Sequence, residues 1–158
     1  MNFDLGADIS VDFGEFGFPS TYMCSEKELL NLHESLLKKV LKVKPDYVVM
    51  EIADGLYERE TKMLLQHPDF METIHGVIFS AGDSLAAING IEVLKSWNIR
   101  PFAISGLLTA SPLLIREVKE NTTLPVYTIE ELSNGAKEVL QKNKGAILGS
   151  RRKLKKAS

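Results

Sequence analysis

The sequence GVIFSAGDS at residues 76–84 decides the fold, because it joins an apolar run to a short group of small and acidic residues. Two other stretches repeat this pattern, YVVMEIADG at 47–55 and PFAISGLLTAS at 101–111. Each predicts a strand buried on both faces, then a tight turn and a helix, which is typical of a parallel sheet with crossover helices. Ligands bind beyond the carboxyl ends of the strands in such sheets, so these turns indicate the position of a site.

Helical periodicity and capping signals predict helices before and between the strands. Ser25 begins a capping box that opens a helix predicted over about residues 26–43, and Thr128 begins a second capping box that opens the last helix. Shorter helices are predicted over about residues 57–66 and 84–97. The predicted order is one helix followed by four strand–helix repeats.

A fourth strand is predicted over residues 124–127, and a short additional one over 9–13. Right-handed crossovers lay such strands parallel, with helices on both faces. The sequence therefore predicts an α/β fold that is three-layer, with a mostly parallel sheet of four to five strands, in a single domain over 1–143. Residues 144–158 carry six basic side chains and little apolar material, so they predict a basic, disordered tail.

The composition indicates an ordinary cytoplasmic globular protein. Its 158 residues are 44% hydrophobic and 25% charged. No apolar stretch approaches the roughly 18–20 residues of a membrane span, and the first residues lack the pattern of a secretory signal. Cys24 is the only cysteine, which excludes an internal disulfide and suits a reducing compartment. The basic tail contains no aromatic side chain for base stacking, so a nucleic-acid partner is not expected.

Two carboxylates mark the end of the first apolar run. Glu51 lies within the run at 47–52, where an unpaired carboxylate is costly to bury unless it meets a cation or hydrogen-bond donors. Asp54 follows three positions later, beside Gly55. Two carboxylates at a sheet edge suit a hydrated magnesium ion, which prefers oxygen ligands. A structural role fits equally well, in which Glu51 pairs with Arg59 or accepts backbone N–H groups, and Asp54 caps the next helix.

The other two turns carry hydroxyl and acidic side chains at the starts of helices. Helix N-termini present free N–H groups and a partial positive charge, so they attract phosphate groups. Ser, Thr and Asp are also the ordinary N-cap residues, and capping alone accounts for either turn. The convergence of both turns on one edge favours a ligand site. The candidate ligand-binding residues are Asp83, Ser84, Ser105, Gly106, Thr109 and Ser111.

Residues 46–111 resemble the back half of the dethiobiotin-synthetase-like branch of P-loop NTPases. The segment VVMEIADG at 48–55 is similar to the strand of that branch that ends in Glu, small residues and Gly. The resemblance implies that Glu51 helps to hold magnesium at the phosphates, and that Asp12 is a second carboxylate near the metal. It also implies that the turn at 106–111 contacts the nucleotide base.

The phosphate loop of that family, Gly-x-x-x-x-Gly-Lys-Ser/Thr, is missing from the sequence. Phosphoryl transfer depends on positioning and electrostatics, much of which this loop supplies. The resemblance therefore implies a domain that binds a nucleotide or another phosphorylated small molecule, with magnesium, and does not hydrolyse it on its own. Whether the chain is an enzyme stays open. A small hydrolase that uses Glu51 and Asp54 is the weakest alternative, because no nucleophile is evident.

A non-catalytic interaction module is the main alternative function. The related fold has a further strand–helix unit, and its absence leaves a sheet edge or an apolar surface uncovered. The chain then completes the sheet of a partner that carries the phosphate loop, or forms a homodimer through its amino-terminal edge. The aromatic side chains near the start of the sequence either fold back over this uncovered surface or provide the contact surface for that dimer: Phe3, Phe13, Phe16, Phe18 and Tyr22.

Overall fold

The computed structural model describes residues 7–53 and 55–147. Helix accounts for 56% and strand for 5% of this part of the chain. The chain divides into two compact units, Met1–Thr73 and Ile74–Ser158. None of the helices in the described residues is long and apolar enough to cross a membrane.

The first unit is helical. Its elements are a short 3-10 helix at Phe13–Phe16, α1 at Glu26–Leu41, α2 at Arg59–Gln66 and α3 at Pro68–Thr73. The capping box predicted at the start of α1 is confirmed, because the Ser25 hydroxyl accepts a hydrogen bond from the Glu28 N–H at 3.3 Å. The Glu28 carboxylate accepts one in return from the Ser25 N–H at 2.7 Å. These bonds satisfy N–H groups that have no partner inside the helix.

The core of the first unit is formed where α1 packs on α2 and α2 packs on α3. Leu29 and Leu32 of α1, Leu65 of α2 and Phe70 of α3 are buried. The His33 and Phe70 rings are packed edge to face, with ring centroids 4.7 Å apart. Burial of each of these apolar side chains stabilises the folded state by about 1.5–3 kcal/mol.

The second unit contains a short parallel sheet with helices. Its elements are β1 at Ile78–Ser80, α4 at Ser84–Ser96, β2 at Ala103–Ser105, a 3-10 helix at Leu107–Ala110, α5 at Pro112–Asn121 and α6 at Ile129–Lys142. The register pairs Ile78 with Ala103 and Ser80 with Ser105. Val126 adds one isolated parallel bridge to Ile104. A second capping box opens α6 at Thr128, as predicted.

The core of the second unit lies between the sheet and the two helices that follow its strands. One cluster of buried side chains joins α4, β2, the second 3-10 helix and α5, and it includes Ala87, Ile91, Ile104, Leu108 and Val118. Gly90 lies where a Cβ atom would come within 2.3 Å of the Phe79 ring, so the absence of a side chain lets α4 approach β1 closely. The apolar side chains of α4 therefore help to bury β2.

The predicted three-layer α/β fold with four to five strands is wrong for the described residues, where the sheet has two strands of three residues. Residues 47–52 and 9–13 form no strand, and 124–127 contribute only the bridge at Val126. The helices predicted from periodicity and capping are present within a few residues of their predicted bounds. A helix satisfies its own backbone, whereas a strand requires a neighbour that apolar patterning does not specify.

Two predictions on domain organisation remain predictions. The single domain over 1–143 is neither supported nor excluded by the division into two units. The basic tail was predicted over 144–158, and its residues from 148 onward lie outside the described part of the chain.

Candidate functional site

The loops that follow β1 and β2 lie together at the carboxyl ends of the two strands. The Ala81 N–H donates to the Ser105 carbonyl at 3.0 Å, and the Leu108 N–H donates to the Ala81 carbonyl at 3.2 Å. The second loop, residues 106–111, is therefore bonded to Ala81, the residue just before the first loop, residues 82–84, and α4 and α5 begin at the same edge. We refer to these two loops as the strand-end edge.

Gly106 makes the close approach of the two loops possible. It is buried and has a φ of 107°, which residues with a side chain rarely adopt. A Cβ atom here would lie 2.5 Å from the Ala81 carbonyl oxygen and 2.6 Å from the Ser80 hydroxyl. The conformation and the packing therefore both require glycine at this position.

Three of the predicted ligand-binding side chains form hydrogen bonds within the protein. The Asp83 carboxylate accepts from the Ala86 N–H at 2.7 Å, which confirms Asp83 as the N-cap of α4. The Thr109 hydroxyl donates to the Gly106 carbonyl at 2.7 Å. The Ser84 hydroxyl donates to the Glu117 carboxylate at 2.5 Å, which joins α4 to α5. These bonds stabilise the strand-end edge.

The remaining polar groups at this edge differ in exposure. Ser105 is buried at the end of β2. Ser111 is half-buried and occupies the N-cap position of α5, but its side chain makes no capping bond, and Pro112 follows at the first helical position. Helix N-termini also carry N–H groups with no partner inside the helix. The groups available to a ligand are therefore the Ser111 hydroxyl and the first-turn N–H groups of α4 and α5, apart from Ala86, whose N–H is bonded to Asp83, and Pro112, which has no N–H.

Glu117 was not among the predicted site residues. It lies in the middle of α5, and nothing in the local sequence distinguishes it from the neighbouring solvent-facing Glu120. Its bond to Ser84 joins residues 33 positions apart and depends on the packing of α4 against α5. The negative charge that Glu117 adds to the strand-end edge lowers its affinity for a free anion.

Of the three predicted magnesium ligands, Asp12 and Glu51 lie in the described part of the chain. Asp12 is the N-cap of the first 3-10 helix, where it accepts from the Gly14 N–H at 2.8 Å. Glu51 is exposed in a segment without regular structure, and Asp54 lies outside the described residues. Over 7–53 and 55–147, no group of three or more His, Cys, Asp or Glu side chains is arranged to hold a metal ion. The magnesium site stays a prediction.

The predicted alternative partner of Glu51 is occupied elsewhere. Arg59 forms an ion pair with the Glu60 carboxylate at 2.8 Å and donates to the Cys24 carbonyl at 3.0 Å. Glu60 also accepts from the Met23 N–H at 2.8 Å.

Burial raises the pKa of the Cys24 thiol, which disfavours the thiolate and any role as a nucleophile.

Comparisons with protein-family models, with characterised proteins and with solved structures return no match to this chain. The resemblance to the dethiobiotin-synthetase-like branch therefore stays a prediction that depends on residues 46–111. The function is argued below from the site itself.

Proposed function

We propose that the strand-end edge binds a phosphorylated small molecule, such as a nucleotide, and that this chain does not hydrolyse it on its own. The observation that supports the proposal is the pair of backbone bonds at the ends of the two strands, from Ala81 to Ser105 and from Leu108 to Ala81, which places the starts of α4 and α5 at one edge. Each helix start carries a partial positive charge equivalent to about half an elementary charge. Two starts at one edge attract a phosphate more strongly than one.

The contacts of the ligand follow from the groups that remain available. First-turn N–H groups of α4 and α5 donate to phosphate oxygens, and the Ser111 hydroxyl provides a further donor. Asp83 and Glu117 are negative and lie beside these donors. A magnesium ion that arrives with the ligand offsets their charge, so we expect tighter binding with magnesium than without it.

Replacement of Glu117 by Gln tests this electrostatic balance. Gln still accepts the Ser84 hydroxyl but carries no charge. Removal of one charge about 7 Å from a phosphate in a water-like dielectric changes the binding free energy by about 0.6 kcal/mol. We therefore expect Glu117→Gln to tighten the binding of ADP, GDP or ribose 5-phosphate about threefold in the absence of magnesium. Isothermal titration calorimetry measures the change.

Glu120→Gln is the matched control, because Glu120 lies on the same helix and its contact is an exposed pair with Arg116 at 3.9 Å. It removes the same charge and should leave the affinity unchanged within error. The proposal fails if none of the three compounds binds with or without magnesium, or if both variants change the affinity equally.

A second candidate function is self-association, and a different observation favours it. Tyr47, Val48, Val49 and Met50 are consecutive, apolar and exposed, and the side chain of Val49 is 85% exposed. Such a run on the surface is unusual in a folded protein and indicates an interaction surface. We propose a second copy of the chain as the partner, because a two-fold axis buries the same run twice.

Val49→Lys tests self-association. A lysine in the centre of the run places an unpaired charge in the dimer interface. We therefore expect the variant to be a monomer at a micromolar concentration at which the wild-type protein is a dimer. Light scattering after gel filtration measures the mass. Leu85→Lys is the control, because Leu85 is 69% exposed on α4 and lies outside the run. A monomeric wild-type protein, or equal dissociation of both variants, contradicts the idea.

A further inference from the structure

A small cavity lies in the first unit between α1 and the segment that contains the first 3-10 helix. Its volume is about 200 Å³. Pockets for drug-sized ligands are about 300–1,000 Å³, so this cavity has room for one small group. The residues that line it come from positions 16–35: Phe16, Phe18, Glu28, Asn31, Leu32 and Ser35.

The apolar part of the cavity is aromatic. Phe16 and Phe18 are half-buried and line the cavity together with the buried Leu32. The 3-10 helix packs on α1, which holds Phe16 in place. The face of an aromatic ring carries partial negative charge and attracts cations.

One cation already contacts this wall. The Lys39 ammonium lies 5.8 Å from the centroid of the Phe16 ring, within the distance at which cation–π attraction is significant. Lys39 also forms an ion pair with Glu15, which neutralises its charge. The Phe16 ring therefore already contacts a cationic side chain in the folded protein. Because the ion pair of Lys39 with Glu15 carries little net charge, it repels a second cation only weakly.

The remaining charge at the cavity is negative. One oxygen of the Glu28 carboxylate accepts both the Ser25 N–H at 2.7 Å and the Ser25 hydroxyl at 2.6 Å, which leaves the other oxygen available. The bond from the Ser25 side chain lowers the pKa of Glu28, so the carboxylate is ionised at neutral pH. A ligand that carries negative charge is therefore disfavoured here.

We propose that this cavity binds the head group of a small organic cation, of the alkylammonium class. The alkyl groups of the cation contact Phe16, Phe18 and Leu32, and its positive charge faces the rings and the Glu28 carboxylate. A hydrated metal ion fits less well, because the cavity offers a single carboxylate and a mainly apolar wall.

A titration followed by proton NMR tests the proposal with choline and 3,3-dimethylbutan-1-ol. The two compounds have nearly the same shape, but only choline is charged. We expect the methyl signal of choline to move upfield, because the aromatic rings shield it, with a dissociation constant on the order of millimolar. The neutral compound should bind at least about fivefold more weakly.

Three variants separate the proposed contacts from a structural role. Glu28→Gln keeps the capping box, since Gln also completes it, and should weaken choline binding about threefold. Glu131→Gln makes the same change in the capping box of α6 and should have no effect. Phe18→Leu keeps the wall apolar and should weaken binding about two- to fivefold. Equal binding of both compounds, no choline shift, or equal effects of the two Gln variants overturns the proposal.

Discussion

Replacement of Gly106 by alanine is expected to destabilise the second unit by about 2–6 kcal/mol. Its φ of 107° and ψ of −170° lie in a region that is essentially restricted to glycine, and this conformation costs a residue with a Cβ atom about 1–3 kcal/mol. The Cβ atom would also lie 2.5 Å from the Ala81 carbonyl oxygen, and such overpacking costs typically about 1–3 kcal/mol more. Urea denaturation measures the change, with the fluorescence of Trp97, the only tryptophan, as a reporter of the second unit.

Gly82→Ala is the matched control for this substitution. Gly82 lies in the other loop of the strand-end edge, it has no positive φ, and a Cβ atom there meets nothing within 4 Å. Its replacement should change stability by less than about 1 kcal/mol. If Gly106→Ala is equally mild, the two loops are not held together as described, and the proposed ligand site loses its geometric basis.

The sequence predicted the helices better than the sheet, and the reason is physical. The capping boxes at Ser25 and Thr128 and the N-cap at Asp83 are local signals, because each concerns residues within one turn of a helix. The apolar run at 47–52 is as strong a strand signal as the one before Asp83, but no neighbouring backbone pairs with it in the described residues. Strand formation depends on a partner strand, which can be distant in the sequence.

The sequence indicated which turns lie together, but not the hydrogen bonds of their side chains. The turns after β1 and β2 meet at one edge, since parallel strands end on the same side. The bonds of Thr109 to Gly106 and of Ser84 to Glu117 depend on tertiary packing, and the ligand-binding role of these residues stays a prediction. A polar residue at the start of a helix can cap that helix or bind a ligand. The periodicity of the sequence does not distinguish these two roles.

Phe70→Ala is expected to destabilise the first unit by about 3–5 kcal/mol. Phe70 is 1% exposed, and removal of its ring leaves a cavity that the surrounding helices fill only in part. Urea denaturation followed by circular dichroism measures the loss. Phe13→Ala is the control, because the Phe13 ring is 40% exposed and its loss should cost less than about 1 kcal/mol.

The His33 ring gives a second readout of the same change. Burial lowers the pKa of His33, and its Nε2 lies 3.0 Å from the Thr73 hydroxyl, which itself donates to the Phe70 carbonyl at 2.7 Å. A lowered pKa in the folded state means that the stability contributed by neutral His33 is lost as the pH falls below its ordinary value of about 6.5. In Phe70→Ala, water reaches the ring, so its pKa should rise toward that value in an NMR titration. An unchanged pKa in a folded variant would show that the ring is buried by other contacts.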